Sequence, residues 1–102
     1  MCDLVIENQV LTPAQSAMAI EEVAAARAFE YEGNVVVAAV IKNVYSSSER
    51  RKIKDKIRKE VAASCSKSED TVIVTFDMEI FRRIEYADEV EKQILLSLAK
   101  TR

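Results

Sequence analysis

Val72-Ile73-Val74-Thr75-Phe76-Asp77-Met78-Glu79-Ile80-Phe81-Arg82-Arg83-Ile84 runs a buried-strand pattern straight into a capped helix. Val72, Val74 and Phe76 alternate with Thr71, Ile73 and Thr75, the period-two pattern of a strand covered on most of its surface. Asp77 then offers an oxygen to the orphan N–H groups of a first helical turn, and Glu79 adds negative charge where the helix dipole favours it. An Asp at such a junction can also hold a metal or act as a base. No His and no second carboxylate at working spacing accompanies it, so the reading is a cap. Beyond it Ile80, Ile84, Ala87, Ile94 and Leu98 fall on one helical face, and Glu91 interrupts that face. The helix is therefore expected to bend or end near Glu91, leaving Ile94-Leu95-Leu96 and Leu98 in an apolar C-terminal arm over residues 93–102. Such an arm either packs on its own domain or docks on another chain, with Leu95 and Leu96 as the contact residues.

Working back from this strand, Ser46 and Glu49 have capping-box spacing and open a charged helix reaching about Ser64. Ile53, Ile57, Val61 and Cys65 repeat every four residues, a narrow stripe that can pack on a sheet while the other positions stay wet. Seven of the fifteen basic residues crowd into Arg50 to Lys59, opposed there only by Asp55. Arg51, Lys54 and Arg58 share its outward face and are the candidate partner-binding residues of this helix. Two readings stay open: a solvated face paired with Glu49, Asp55 and Glu60, or a site for nucleic acid or an acidic protein surface. Nucleic-acid modules usually interleave aromatic platforms or a glycine loop with their basic residues, and this helix has neither.

Further upstream, Val35-Val36-Val37-Ala38-Ala39-Val40-Ile41 is a β-branched apolar run, preceded by Glu32-Gly33-Asn34 and by a segment around Arg27, Phe29 and Tyr31. The only Gly of the chain sits where a hairpin needs a positive φ, so the two runs read as antiparallel strands rather than as one helix through Gly. The second strand should be central, with both faces covered. Thr12-Pro13-Ala14-Gln15 starts a first helix expected to reach Glu22, with Ala14, Ala17 and Met18 facing the core. Residues 1–11 are a lead-in in which Leu4-Val5-Ile6 is either a short strand or a loose segment.

The resulting order is α-β-β-α-β-α, expected as an α+β two-layer sandwich with helices on one face of a three-stranded sheet. A right-handed crossover through the charged helix would make the second and third strands parallel. At 102 residues there is room for one domain, here residues 12–92, burying roughly 65% of the surface its unfolded chain would expose. The chain carries a net charge of −2 and has no His, the commonest metal ligand and general base. Nucleophile–histidine pairs and zinc hydrolysis cannot be built from it, so no catalytic, cofactor or metal site is expected. Cys65 falls in the apolar stripe and reads as a small hydrophobe, while Cys2 depends on what precedes it in the natural precursor. No apolar run approaches the roughly 20 residues of a membrane span, and no secretory signal precedes the domain, so the chain as given is expected to be soluble.

The segment Val74 to Ile84 resembles the V-S-T-D-P-D-x-F-x-R-I strand-to-helix signature of the YhcN/YlaJ-type sporulation lipoproteins. Val23, Ala26, the Glu32-Gly33-Asn34 turn and Val35 to Ala38 are similar to that family's V-x-x-A-x-V … G-N-x-V-Y-V-A-V hairpin, and Glu49 to Val61 stands in place of its lysine-rich helix. The resemblance covers about residues 12 to 92. Met78 replaces the usual Pro and Phe76 a small hydroxyl residue, which marks a divergent member or distant relative. The resemblance implies an endospore-forming bacterium and the spore or cell envelope, with membrane attachment only if the natural precursor is lipidated. It carries over no catalytic residue. The topology is also similar to ring-building domains of secretion and sporulation channels, an analogy of fold that does not fix function. The expected function is a non-catalytic domain acting through protein–protein assembly, by self-association or with a partner. The alternative is a small nucleic-acid-binding module using the basic helix 49–64.

Overall fold

In a computed structural model of the chain, residues 12–43 and 45–101 are described. The expectations for Leu4-Val5-Ile6 and Cys2 lie outside the described residues. The elements run α1 (Pro13–Met18), β1 (Val23–Tyr31), β2 (Asn34–Ile41), α2 (Ser47–Cys65), β3 (Val72–Thr75), α3 (Met78–Ile84) and α4 (Glu89–Thr101), with a 3-10 turn at Glu69–Thr71.

The hairpin turns where the lone Gly requires it. Glu32 and Gly33 have φ of +50° and +82°, and the loop they form joins antiparallel strands that start with Tyr31 opposite Asn34. Positive φ at both central residues matches the right-handed twist of the flanking strands, which is why two-residue hairpins use it. The register slips between Val23 and Ala25, placing a bulge at the far end of β1. On its other side β2 pairs in parallel with β3, from Val35 opposite Val72 to Ala38 opposite Thr75. The sheet order is β1-β2-β3, with β2 central as expected, and α2 provides the crossover that a parallel pair needs.

The α+β class, the three strands and the element order are those read from the sequence, but the layering is not. Helices cover both faces of the sheet, so the molecule has three layers. Val35, Val37 and Ala39 of β2 point into a core shared with Ala17, Ile53, Ile57 and Val61 of α1 and α2. Val36 and Ala38 point the other way, into a core with Phe29, Ile80, Leu95, Leu96 and Ala99. Side chains alternate across a strand, so a continuous apolar run such as Val35 to Ala39 demands cover on both sides. On the second face α3 and the folded-back α4 meet that demand together, through Ile80, Leu95, Leu96 and Ala99.

Two helix boundaries also differ. α1 stops at Met18, four residues short of the expected Glu22, because a turn bonding Ile20 N–H to Ala17 O and Val23 N–H to Ile20 O leads directly into β1. That turn buries Ile20 and leaves Met18 46% exposed, where a core position was expected. The C-terminal helix breaks at residues 85–88, before Glu91. There Asp88 Oδ1 accepts the Glu91 N–H at 2.8 Å and starts α4 as a new helix. Glu91 then accepts from Arg83 Nε across the corner, so the charge that interrupts the apolar face clamps α3 to α4.

Candidate functional site

In a parallel β2-α2-β3 unit the helix runs back against the strands, so the first turns of α2 stand beside the carboxyl end of β3. Side chains of β3 alternate, and Phe76, in phase with Val72 and Val74, turns toward α2. There its ring meets two cations: Arg50 Cζ lies 5.7 Å and Lys54 Nζ 5.5 Å from the ring centroid. The stem of Lys54 is half-buried, and burial first, then the neighbouring Arg50, holds its ammonium below the usual lysine range.

Three shallow depressions adjoin at Lys54. One is framed by Ser47, Arg50 and Arg51, the second by Arg50, Thr75, Phe76 and Asp77. The third follows the outer edge of β3 past Val72, Ile73 and Val74, between Arg58 of α2 and Lys100 of α4. Together they form a cationic groove along α2 and β3. Asp77 is the acid within this lining; its Oδ1 accepts the N–H groups of Glu79 at 2.8 Å and Ile80 at 3.2 Å, which is the capping role read from the sequence. Arg58 is bonded to Asp55 one turn back. The opposite flank of α2 is held by Lys56, which reaches Glu22 at 3.1 Å and ties the helix to the turn before β1.

Of the residues singled out from the sequence, Lys54 and Arg58 lie along the groove and Arg51 frames its end. Leu95 and Leu96 do not form a docking surface. They are core residues of the α3–α4 layer, and Leu95 is 0% exposed. Arg50, Phe76 and Lys100 were missed. Phe76 lies outside the basic helix, yet period-two alternation and the parallel crossover together place it against α2. Lys100 could be placed only once α4 was known to fold back.

Cys65 is partly buried, and burial, then Glu30, pushes its thiol up despite the opposing charge of Lys67, leaving it a poor nucleophile at neutral pH. Among the described residues no three Cys, Asp or Glu side chains are grouped to hold a metal ion. None of the described helices is long and apolar enough to cross a membrane.

Comparison with curated proteins and with solved structures gives no match. A family model for sporulation lipoprotein YhcN/YlaJ matches residues 14–92, from α1 through the hairpin, the cationic helix and the strand-to-helix junction into α4. The chain belongs to the YhcN/YlaJ sporulation lipoprotein family, and with it to the proteins of spore formation.

Proposed function

We propose that the chain is a non-catalytic domain of spore formation that acts at the spore envelope by holding an acidic segment of a protein partner in the α2–β3 groove. The observation that carries this reading is the convergence of Arg50, Arg51, Lys54, Arg58 and Lys100 around one groove on a chain whose net charge is −2. Cations gathered on an otherwise slightly acidic surface give local complementarity and orientation without general stickiness toward anions. The groove is shallow and open, which suits an extended segment better than a small molecule enclosed on most sides. Its carboxylate is committed to capping α3, and the chain has no His to act as a base.

One observation favours a second reading, binding of single-stranded nucleic acid: Phe76 sits between Arg50 and Lys54, an aromatic ring amid phosphate-binding charges. Fluorescence anisotropy with polyglutamate and with a single-stranded oligonucleotide, at stepped salt, separates the two. The protein-partner reading expects polyglutamate to bind and to be lost in the Arg51→Glu/Arg58→Glu variant, with Phe76→Leu having little effect. Tighter oligonucleotide binding that Phe76→Leu abolishes would transfer the function to nucleic acid. Binding of neither at low salt overturns both.

A further inference from the structure

We infer that two copies of this chain pair through the outer face of α4, in antiparallel orientation. This surface lies on the opposite side of the sheet from α1 and α2; of the residues it uses, Lys100 and Thr101 also line one end of the groove, so Ile94→Glu and Glu89→Lys test the pairing without touching a groove residue. Val90 and Ile94, one turn apart on α4, are 67% and 44% exposed, although the same helix buries Leu95, Leu96 and Ala99. Beyond Ile94 the outer face continues with exposed Ser97 and Thr101, small and uncharged side chains that let a second helix approach closely. The strip is thus free of charge along its length.

The charges beside the strip decide the orientation. At roughly 100° per residue, Glu89 and Lys100 are separated by about three full turns and fall on the same flank. In an antiparallel pair whose two-fold axis crosses α4 between Ile94 and Leu95, that flank of one helix meets the same flank of the other. Glu89 then stands beside Lys100 of the second copy, and Lys100 beside its Glu89. A parallel two-fold pair would put this flank of the two copies on opposite sides of the seam, so that Glu89 and Lys100 could not meet across it. Glu89 is held within its own helix only by a 3.5 Å contact to Lys92, so it can turn to a second copy at little cost. Antiparallel packing also brings the acidic first turn of each helix, Glu89 and Glu91, toward the last turn of the other, where Lys100 sits. With one such strip per chain the pair is weak, and it leaves both α2 faces outward, which would give a bivalent particle.

Sedimentation velocity and light scattering up to about millimolar chain concentration, the range in which a weak pair fills, test this on the intact chain. The wild type is expected to move from monomer to dimer, and Ile94→Glu, a substitution at an exposed site, to stay monomeric with unchanged helix content by circular dichroism. Glu89→Lys should weaken the dimer by about tenfold or more, since two pairs turn from attraction to repulsion, and Glu89→Lys/Lys100→Glu should restore it. A wild type that stays monomeric throughout overturns the proposal. So does a dimer insensitive to Ile94→Glu, or one that the double exchange fails to restore.

Discussion

Replacing Leu95 by Ala removes a side chain that is 0% exposed and packed with Phe29, Val36, Ala38 and Ile80. Three buried carbons at about 0.8 kcal/mol each give a loss of about 2.4 kcal/mol in transfer free energy. The cavity left in a layer pinned between a sheet and α3 raises the total to about 3–4 kcal/mol, within the range for buried Leu→Ala changes. For a domain of about this size that corresponds to a Tm lower by roughly 12–30 °C. The neighbouring change Ile94→Ala, at a position 44% exposed, should cost less than about 1 kcal/mol in the dilute monomer. Urea denaturation at micromolar concentration measures both, and an unchanged m-value shows that stability changed without a change in the surface exposed on unfolding. The comparison is internal to one helix, so helix propensity cancels. Equal costs at the two positions, or a larger cost at Ile94, would refute the three-layer packing and favour the other sequence-based alternative for residues 93–102, an arm that docks on another chain.

Three further outcomes follow from local geometry. Gly33→Ala should cost about 1–2 kcal/mol purely through its φ of +82°, since an added Cβ meets nothing within 4 Å, whereas Glu32→Asn, at φ +50°, should add up to about 1 kcal/mol; thermal melts giving the same sign for both would contradict the turn. Asp77→Ala should cost about 1 kcal/mol by orphaning the Glu79 and Ile80 N–H groups, with Asp77→Asn recovering most of it; an Ala variant as stable as wild type would remove the cap. Glu22 and Glu49 are both held below the ordinary carboxylate value of 4.5, Glu22 by its own backbone N–H and then Lys56, Glu49 by the Ser46 backbone and hydroxyl. Folded-state values below unfolded ones mean a contribution present above 4.5 and lost as pH falls through the folded values. A Glu22→Gln/Glu49→Gln chain should accordingly show a shallower drop in Tm on acidification than wild type, and superimposable acid profiles would disprove the linkage.

The elements were legible because each is marked by local chemistry that tertiary packing did not override. Thr12 and Gln15, and Ser46 and Glu49, form the reciprocal capping boxes their spacing announced. The positive φ at Gly33 and the parallel register of β3 followed from the lone Gly and from the length of the crossover. Layering was harder to read because it depends on where α4 lands. Glu91 on the apolar face looked like the end of the packed body, whereas its pairing with Arg83 lets the chain turn a corner and return. The groove was half legible for the same reason. Its basic residues are contiguous in sequence, while Phe76 and Lys100 reach it from elements remote in the chain.

The proposed function requires the α2–β3 face to be the surface that meets a partner. Site-specific photo-crosslinking in sporulating cells tests this most directly, with the probe placed at exposed Arg51 or at exposed Tyr86 on the opposite layer. The expected result is a discrete protein adduct from position 51 that disappears when Arg50 and Arg58 are changed to Glu. An adduct from position 51 that survives this charge reversal, or none there while position 86 captures a protein other than a second copy, would contradict it.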